Sequence, residues 1–79
     1  LNFMEQPITD FKNRKLNVGD LVQLVDDIGL DNDDVQHKKG DIFYYIGGLD
    51  DNMGAFIHCK YNKRTDFFAD RTLKIKQLN

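Results

Sequence analysis

The chain has 79 residues, thirteen acidic and eleven basic, with a net charge of −2 and a pI near 5.5. That is room for one small domain, without the basic excess typical of dedicated nucleic-acid domains. Twelve of the thirteen acids are Asp, and with seven Asn, six Gly and two Ala the composition argues against long helices and for short strands joined by tight loops.

No run of residues reaches membrane-spanning length, and there is no signal-peptide pattern. The single cysteine, Cys59, rules out an internal disulfide and favours a reducing, cytoplasmic setting. Leu1 to Phe3 precede Met4 and stay outside the fold expectation. Residues 1–16 form an N-terminal extension holding the only proline, Pro7, the isolated apolar Ile8 and Phe11, and the basic Lys12, Arg14 and Lys15. It is too short and polar to fold alone, so it either docks through Phe11, with Thr9 or Asp10 capping a turn, or stays mobile.

Residues 17–79 read as an all-β domain. Asn17-Val18-Gly19-Asp20 is a turn leading into a first strand, Leu21 to Val25, with Val22 and Leu24 on one face. A long acidic loop over residues 26–41 follows, with Asp26, Asp27, Asp31, Asp33 and Asp34 ahead of His37-Lys38-Lys39-Gly40-Asp41. The second strand is Ile42 to Ile46, and Gly47-Gly48 permits a bulge before the turn Asp50 to Gly54. Ala55 to Tyr61 is the third strand and Thr65 to Ala69 the fourth. A one-turn connection, Asp70-Arg71-Thr72, leads into a fifth strand, Leu73 to Lys76.

This pattern resembles a five-stranded SH3-like small β-barrel. The resemblance rests on Val18-Gly19-Asp20-Leu21-Val22, Lys39-Gly40-Asp41-Ile42 and Phe68-Ala69-Asp70-Arg71-Thr72-Leu73. It implies a fold and no single function, because such barrels include peptide binders, KOW modules, chromatin readers, peripheral subunits of photosynthetic and thioredoxin-reducing complexes, and a plasmid-borne dihydrofolate reductase. The reductase uses a Val-Gln-Ile-Tyr segment on its fourth strand. Asp66-Phe67-Phe68-Ala69 stands there in this chain, so the resemblance implies no reductase activity. The peripheral-subunit likeness is confined to Thr65 to Ile75, and the acidic loop departs from the basic docking surfaces of those subunits.

Chemistry is thinly represented. There is no Ser, and Cys59 falls on the face taken as inward with Ile57, which suits an inert thiol; no catalytic residue and no cofactor is expected. The five carboxylates between Asp26 and Asp34 do not have EF-hand spacing, and Asp50 to Gly54 places its Gly one position early. Solvated turns account for both, and no metal is expected.

Residues 1–54 carry a balance of −6 and residues 55–79 one of +4. Alternation places Ile42, Tyr44 and Ile46 inward with Ile57, Cys59 and Tyr61, and Phe68 inward on the fourth strand. The outward strip is then Phe43, Tyr45, Phe56, His58 and Phe67, more apolar exposure than a monomer needs; the alternative is that a bulge at Gly47-Gly48 shifts the register and buries Tyr45 while Phe11 covers Phe43. The leading expectation is a non-enzymatic module that binds another protein or itself through this strip. Lys60 and Arg64 form its rim, and Asp26, Asp27, Asp31, Asp33 and Asp34 steer basic partners. The alternative is nucleic-acid binding along Lys60, Lys63, Arg64, Lys74 and Lys76, with no membrane role under either reading.

Overall fold

Among the described residues, the runs of β-branched and aromatic residues bounded by Asp, Asn and Gly become five antiparallel strands. They are β1 (Leu21–Leu24), β2 (Ile42–Gly48), β3 (Met53–His58), β4 (Arg64–Phe68) and β5 (Thr72–Lys74), with one 3-10 turn, Ala69–Arg71, before the last. The computed structural model describes residues 6–29 and 37–75. The fold is all-β, and the strands form one sheet in the order β4-β3-β2-β1-β5. The sheet is open, with β4 and β5 as its edges. Among the described residues no helix is long and apolar enough to cross a membrane.

Turn chemistry sets the strand ends. Asp51 and Asn52 both have φ of 59°, which gives the β2–β3 hairpin the mirror-image turn whose twist matches its strands. Gly48 lies opposite Gly54 across this hairpin. A Cβ on Gly48 would run into the Ile8 side chain, and one on Gly54 would lie 2.6 Å from the Phe56 ring. The two glycines let large apolar groups close over the hairpin.

The core corrects the sequence reading. Phe43, Tyr45, Phe56, His58 and Phe67 do share one face, but it is the inward face: Phe43 and Phe56 are fully buried and Tyr45, His58 and Phe67 nearly so. Val22 and Leu24 join them as expected. Ile46, the bulged residue between the Tyr45 and Gly47 pairings, faces out with Tyr44, while Cys59, Tyr61 and Phe68 are exposed. Every residue of Ile42 to Ile46 is apolar, so alternation alone could not choose the side. The set that turned inward carries Phe43, Phe56 and Phe67, while Tyr44 and Tyr61, each with a polar hydroxyl, are exposed on the other. Phe56 and Phe67 stack at 4.2 Å and 3°, and Phe43 meets Phe67, His58 and His37 edge-on at 5.0, 4.8 and 5.2 Å.

Residues 8–16 are an integral part of this unit. Phe11 does not dock the segment; it is 62% exposed. Leu16 enters the core and Ile8 packs against it, while Asp10, fully buried, fastens the segment. Its carboxylate accepts the N–H groups of Lys12, Arg14 and Lys74 and the Arg14 Nε–H at 2.9–3.0 Å. Asp10 therefore does cap the local turn, and it also ties that turn to β5.

Candidate functional site

The inversion leaves an apolar surface on the convex side of the sheet. Pairing aligns Arg64, Ile57, Tyr44 and Leu21 in one row across β4, β3, β2 and β1, with Ile42 opposite Gln23 and Gln23 opposite Leu73 in the next. Further along, Ala55 pairs with Asp66 and Met53 with Phe68. Tyr44 is 46% exposed, Ile46 40% and Phe68 48%, while Leu21, Ile42 and Ile57 are half-buried. Solvated faces of antiparallel sheets ordinarily alternate to polar residues. Here the polar groups lie at the margin: Gln23, and an Arg64–Asp66 ion pair with two bonds of 3.0 and 3.2 Å.

Sequence reasoning missed this face because it assigned these residues to the core. The available signal was an excess of large apolar residues on both parities of β2 and β3. Of the residues expected as contacts, only Lys60 and Arg64 are exposed. Of the expected basic stripe, Arg64 is held by Asp66 and Lys74 Nζ lies 3.2 Å from Asp20, Lys60 and Lys63 are exposed, and Lys76 is outside the described residues. Asp26 and Asp27 are exposed at the start of the loop, where Asp27 accepts the Lys39 N–H and Arg71 reaches the Asp27 carbonyl. Asp31, Asp33 and Asp34 are outside the described residues.

The titratable groups that converge do so inside the fold. His37, Asp41 and His58 bring potential ligand atoms within 4.8 Å of one another, with both histidines buried. This arrangement was not expected from sequence, which placed His37 in the acidic loop and His58 outward. Ile28 and His37 exchange two backbone hydrogen bonds that close the acidic loop and bring the ring in, 3.1 Å from the Thr65 hydroxyl. His58 Nδ1 accepts the backbone N–H groups of Lys60 and Tyr61 at 3.0 and 3.3 Å. A neutral ring with Nδ1 so engaged carries its proton on Nε2, which donates to Asp41 Oδ2 at 3.0 Å.

The donor set does not suit a metal. A cation on His58 Nε2 would move the ring proton to Nδ1, against two inward-pointing N–H groups, whereas a ligating histidine normally donates from its other nitrogen. The cluster instead fastens the loop end to the β3–β4 turn. Desolvation raises the Asp41 carboxyl, but the bonds from His58 and the Lys38 N–H outweigh it and hold its pKa below the ordinary value. Cys59, exposed and with its thiol pKa pushed up by desolvation, is a poor nucleophile. Compared with known proteins, the chain matches no family model, no curated protein and no solved structure.

Proposed function

We propose that this chain is a non-enzymatic, SH3-like binding module that acts through protein contacts made by the convex face of its sheet. The SH3-like assignment draws on the strand order, the long loop after β1 and the 3-10 turn ahead of β5. One observation carries the functional reading: the exposed Tyr44, Ile46 and Phe68 lie with the half-buried Leu21, Ile42 and Ile57 on the face of the sheet turned away from the core. Continuous apolar surface of this kind is retained for contact with another surface. The convex face replaces Phe43, Tyr45, Phe56, His58 and Phe67 as the contact set, since those residues make the core.

The test is capture of partners from an extract of the protein's own cells, with wild type and a Tyr44→Ser, Ile57→Ser variant, each with and without nuclease. Capture that survives nuclease and is lost in the variant is the expected result. Capture abolished by nuclease and indifferent to the variant would replace this reading with nucleic-acid binding.

A further inference from the structure

A depression of about 960 Å³ opens between the N-terminal segment and the β2–β3 turn. Ile8, Leu16, Tyr45 and Leu49 give it an apolar lining, interrupted by Gly48. Lys15, Asp50 and Asp51, all exposed, line it as well, and among the described residues none of the three has an ion-pair partner within 4 Å. Small-molecule sites are usually depressions of about 300–1,000 Å³ with an apolar lining and a few polar groups. The exposed residues of the convex face, Tyr44, Ile46 and Phe68, do not line it.

Tyr45 points to a ligand independently of those charges. Its side chain is only 4% exposed, and a buried tyrosine hydroxyl ordinarily finds a hydrogen-bond partner. Among the described residues this hydroxyl has none. A Cβ on Gly48 would stand 3.0 Å from it, which places the hydroxyl on the Gly48 side of the depression. The backbone at Gly48 is not left-handed, so what the missing Cβ provides is room at this hydroxyl and at Ile8. Desolvation pushes the phenol pKa up, so the group is neutral at physiological pH and both accepts and donates. Gly48 precedes Asp50 by two residues, a reach of about 7 Å at most, so the hydroxyl and the carboxylates belong to the same wall.

Charge selects the ligand. Two carboxylates and one ammonium leave the lining one unit negative. Asp50 and Asp51 have short stems in a turn closed by the Met53 N–H on the Asp50 carbonyl at 3.1 Å. The Lys15 ammonium rides a flexible four-carbon stem and can turn to water. An alkylammonium has three N–H donors and no acceptor, and both carboxylate and phenol oxygens accept. We infer that the depression binds a small organic amine, its protonated nitrogen held by Asp50, Asp51 and the Tyr45 hydroxyl and its apolar body lying against Ile8, Leu16 and Leu49. This site goes beyond the protein contacts proposed above and does not depend on them.

The test is titration of nitrogen-15-labelled protein with phenethylamine and with 3-phenylpropionate, the acid on the same phenylethyl stem, followed through the amide signals. Phenethylamine should shift the Leu16, Gly48 and Leu49 amides to saturation with a dissociation constant on the order of 1 mM, as expected of so small a ligand, and the acid should not. Asp50→Asn, Asp51→Asn removes both charges and keeps the turn, because Asn tolerates the left-handed backbone of Asp51; it should weaken binding about tenfold. Tyr45→Phe removes the hydroxyl and keeps the ring, and should weaken binding about fivefold. Tyr44→Ser, on the convex face, should bind the amine as wild type does. Circular dichroism confirms that each variant is folded. Shifts that never saturate, equal binding of the acid, or an affinity undiminished in Asp50→Asn, Asp51→Asn or in Tyr45→Phe overturns the inference. Capture of partners through Tyr44 and Ile57 is untouched by any of these outcomes, so the two readings fail separately.

Discussion

Asn52 and Thr9 exchange two hydrogen bonds across 43 residues of sequence: the Thr9 N–H donates to Asn52 Oδ1 at 2.9 Å, and Asn52 Nδ2 donates to the Thr9 carbonyl at 3.1 Å. The side-chain amide thus pairs with the N-terminal segment as a neighbouring strand would, while the Asn52 carbonyl accepts the Ala69 N–H. Its left-handed backbone sits in the hairpin turn, where Asn and Gly are favoured. Asn52→Gly keeps the turn and removes the amide. At about 1 kcal/mol per bond, a loss of about 1–3 kcal/mol is expected from the urea midpoint, with faster exchange at the Thr9 amide. An unchanged midpoint would mean that Ile8, Leu16 and Asp10 hold the segment unaided.

Asp10 makes stability depend on acid. Burial would raise its carboxyl, but the bonds from Lys74 and Arg14, aided by the guanidinium charge, outweigh burial and leave the pKa below the ordinary value. An unfolded Asp titrates near 3.9, so the stabilisation is fully present above that pH and is lost as pH falls through the lower folded value. Asp10→Asn should cost about 2–4 kcal/mol at pH 7, since an amide cannot accept all four donors. The gap to wild type, read from denaturation curves, should shrink below pH 4. A gap independent of pH would show that the charge contributes nothing.

The orientation of β2 is testable with adjacent residues. Phe43→Ala empties a fully buried ring site and should cost about 3–5 kcal/mol. Tyr44→Ala removes a side chain already 46% exposed, and should cost about 1 kcal/mol or less in the dilute monomer. The reverse order in denaturant midpoints would restore the opposite orientation.

His58 supplies a prediction about metals. Nitrogen-detected NMR of the ring should find the proton on Nε2, and zinc titrated at neutral pH should leave the His58 ring signals and the melting temperature unchanged. A zinc-dependent rise in melting temperature that is lost in His58→Gln would contradict the tautomer argument.

Much of the architecture was legible from residues alone. All five strands, the β2–β3 and β3–β4 turns and the one-turn corner before β5 were readable because Gly, Asn and Asp punctuate β-branched and aromatic runs. The grouping of Phe43, Tyr45, Phe56, His58 and Phe67 on one face was also readable, since it follows from the two-residue period. Which face turns inward was not: Tyr44 and Phe43 are both large and apolar, and only three-dimensional packing separates them. The docking of residues 8–16 was hidden for another reason. It depends on the carboxylate of Asp10 and the amide of Asn52 finding backbone partners distant in sequence, and no periodicity records that. The His37–Asp41–His58 cluster likewise exists only once the loop closes.

The three tyrosines allow one measurement to address the central claim. In dilute solution, photochemically induced nuclear polarisation should light Tyr44, at 46% exposure, and Tyr61, at 60%, and leave Tyr45, at 4%, silent. When a captured partner is added, the Tyr44 signal should fade. A Tyr45 signal in the dilute protein would contradict the orientation of the sheet. A Tyr44 signal undiminished in the partner complex would contradict the convex face as the contact surface.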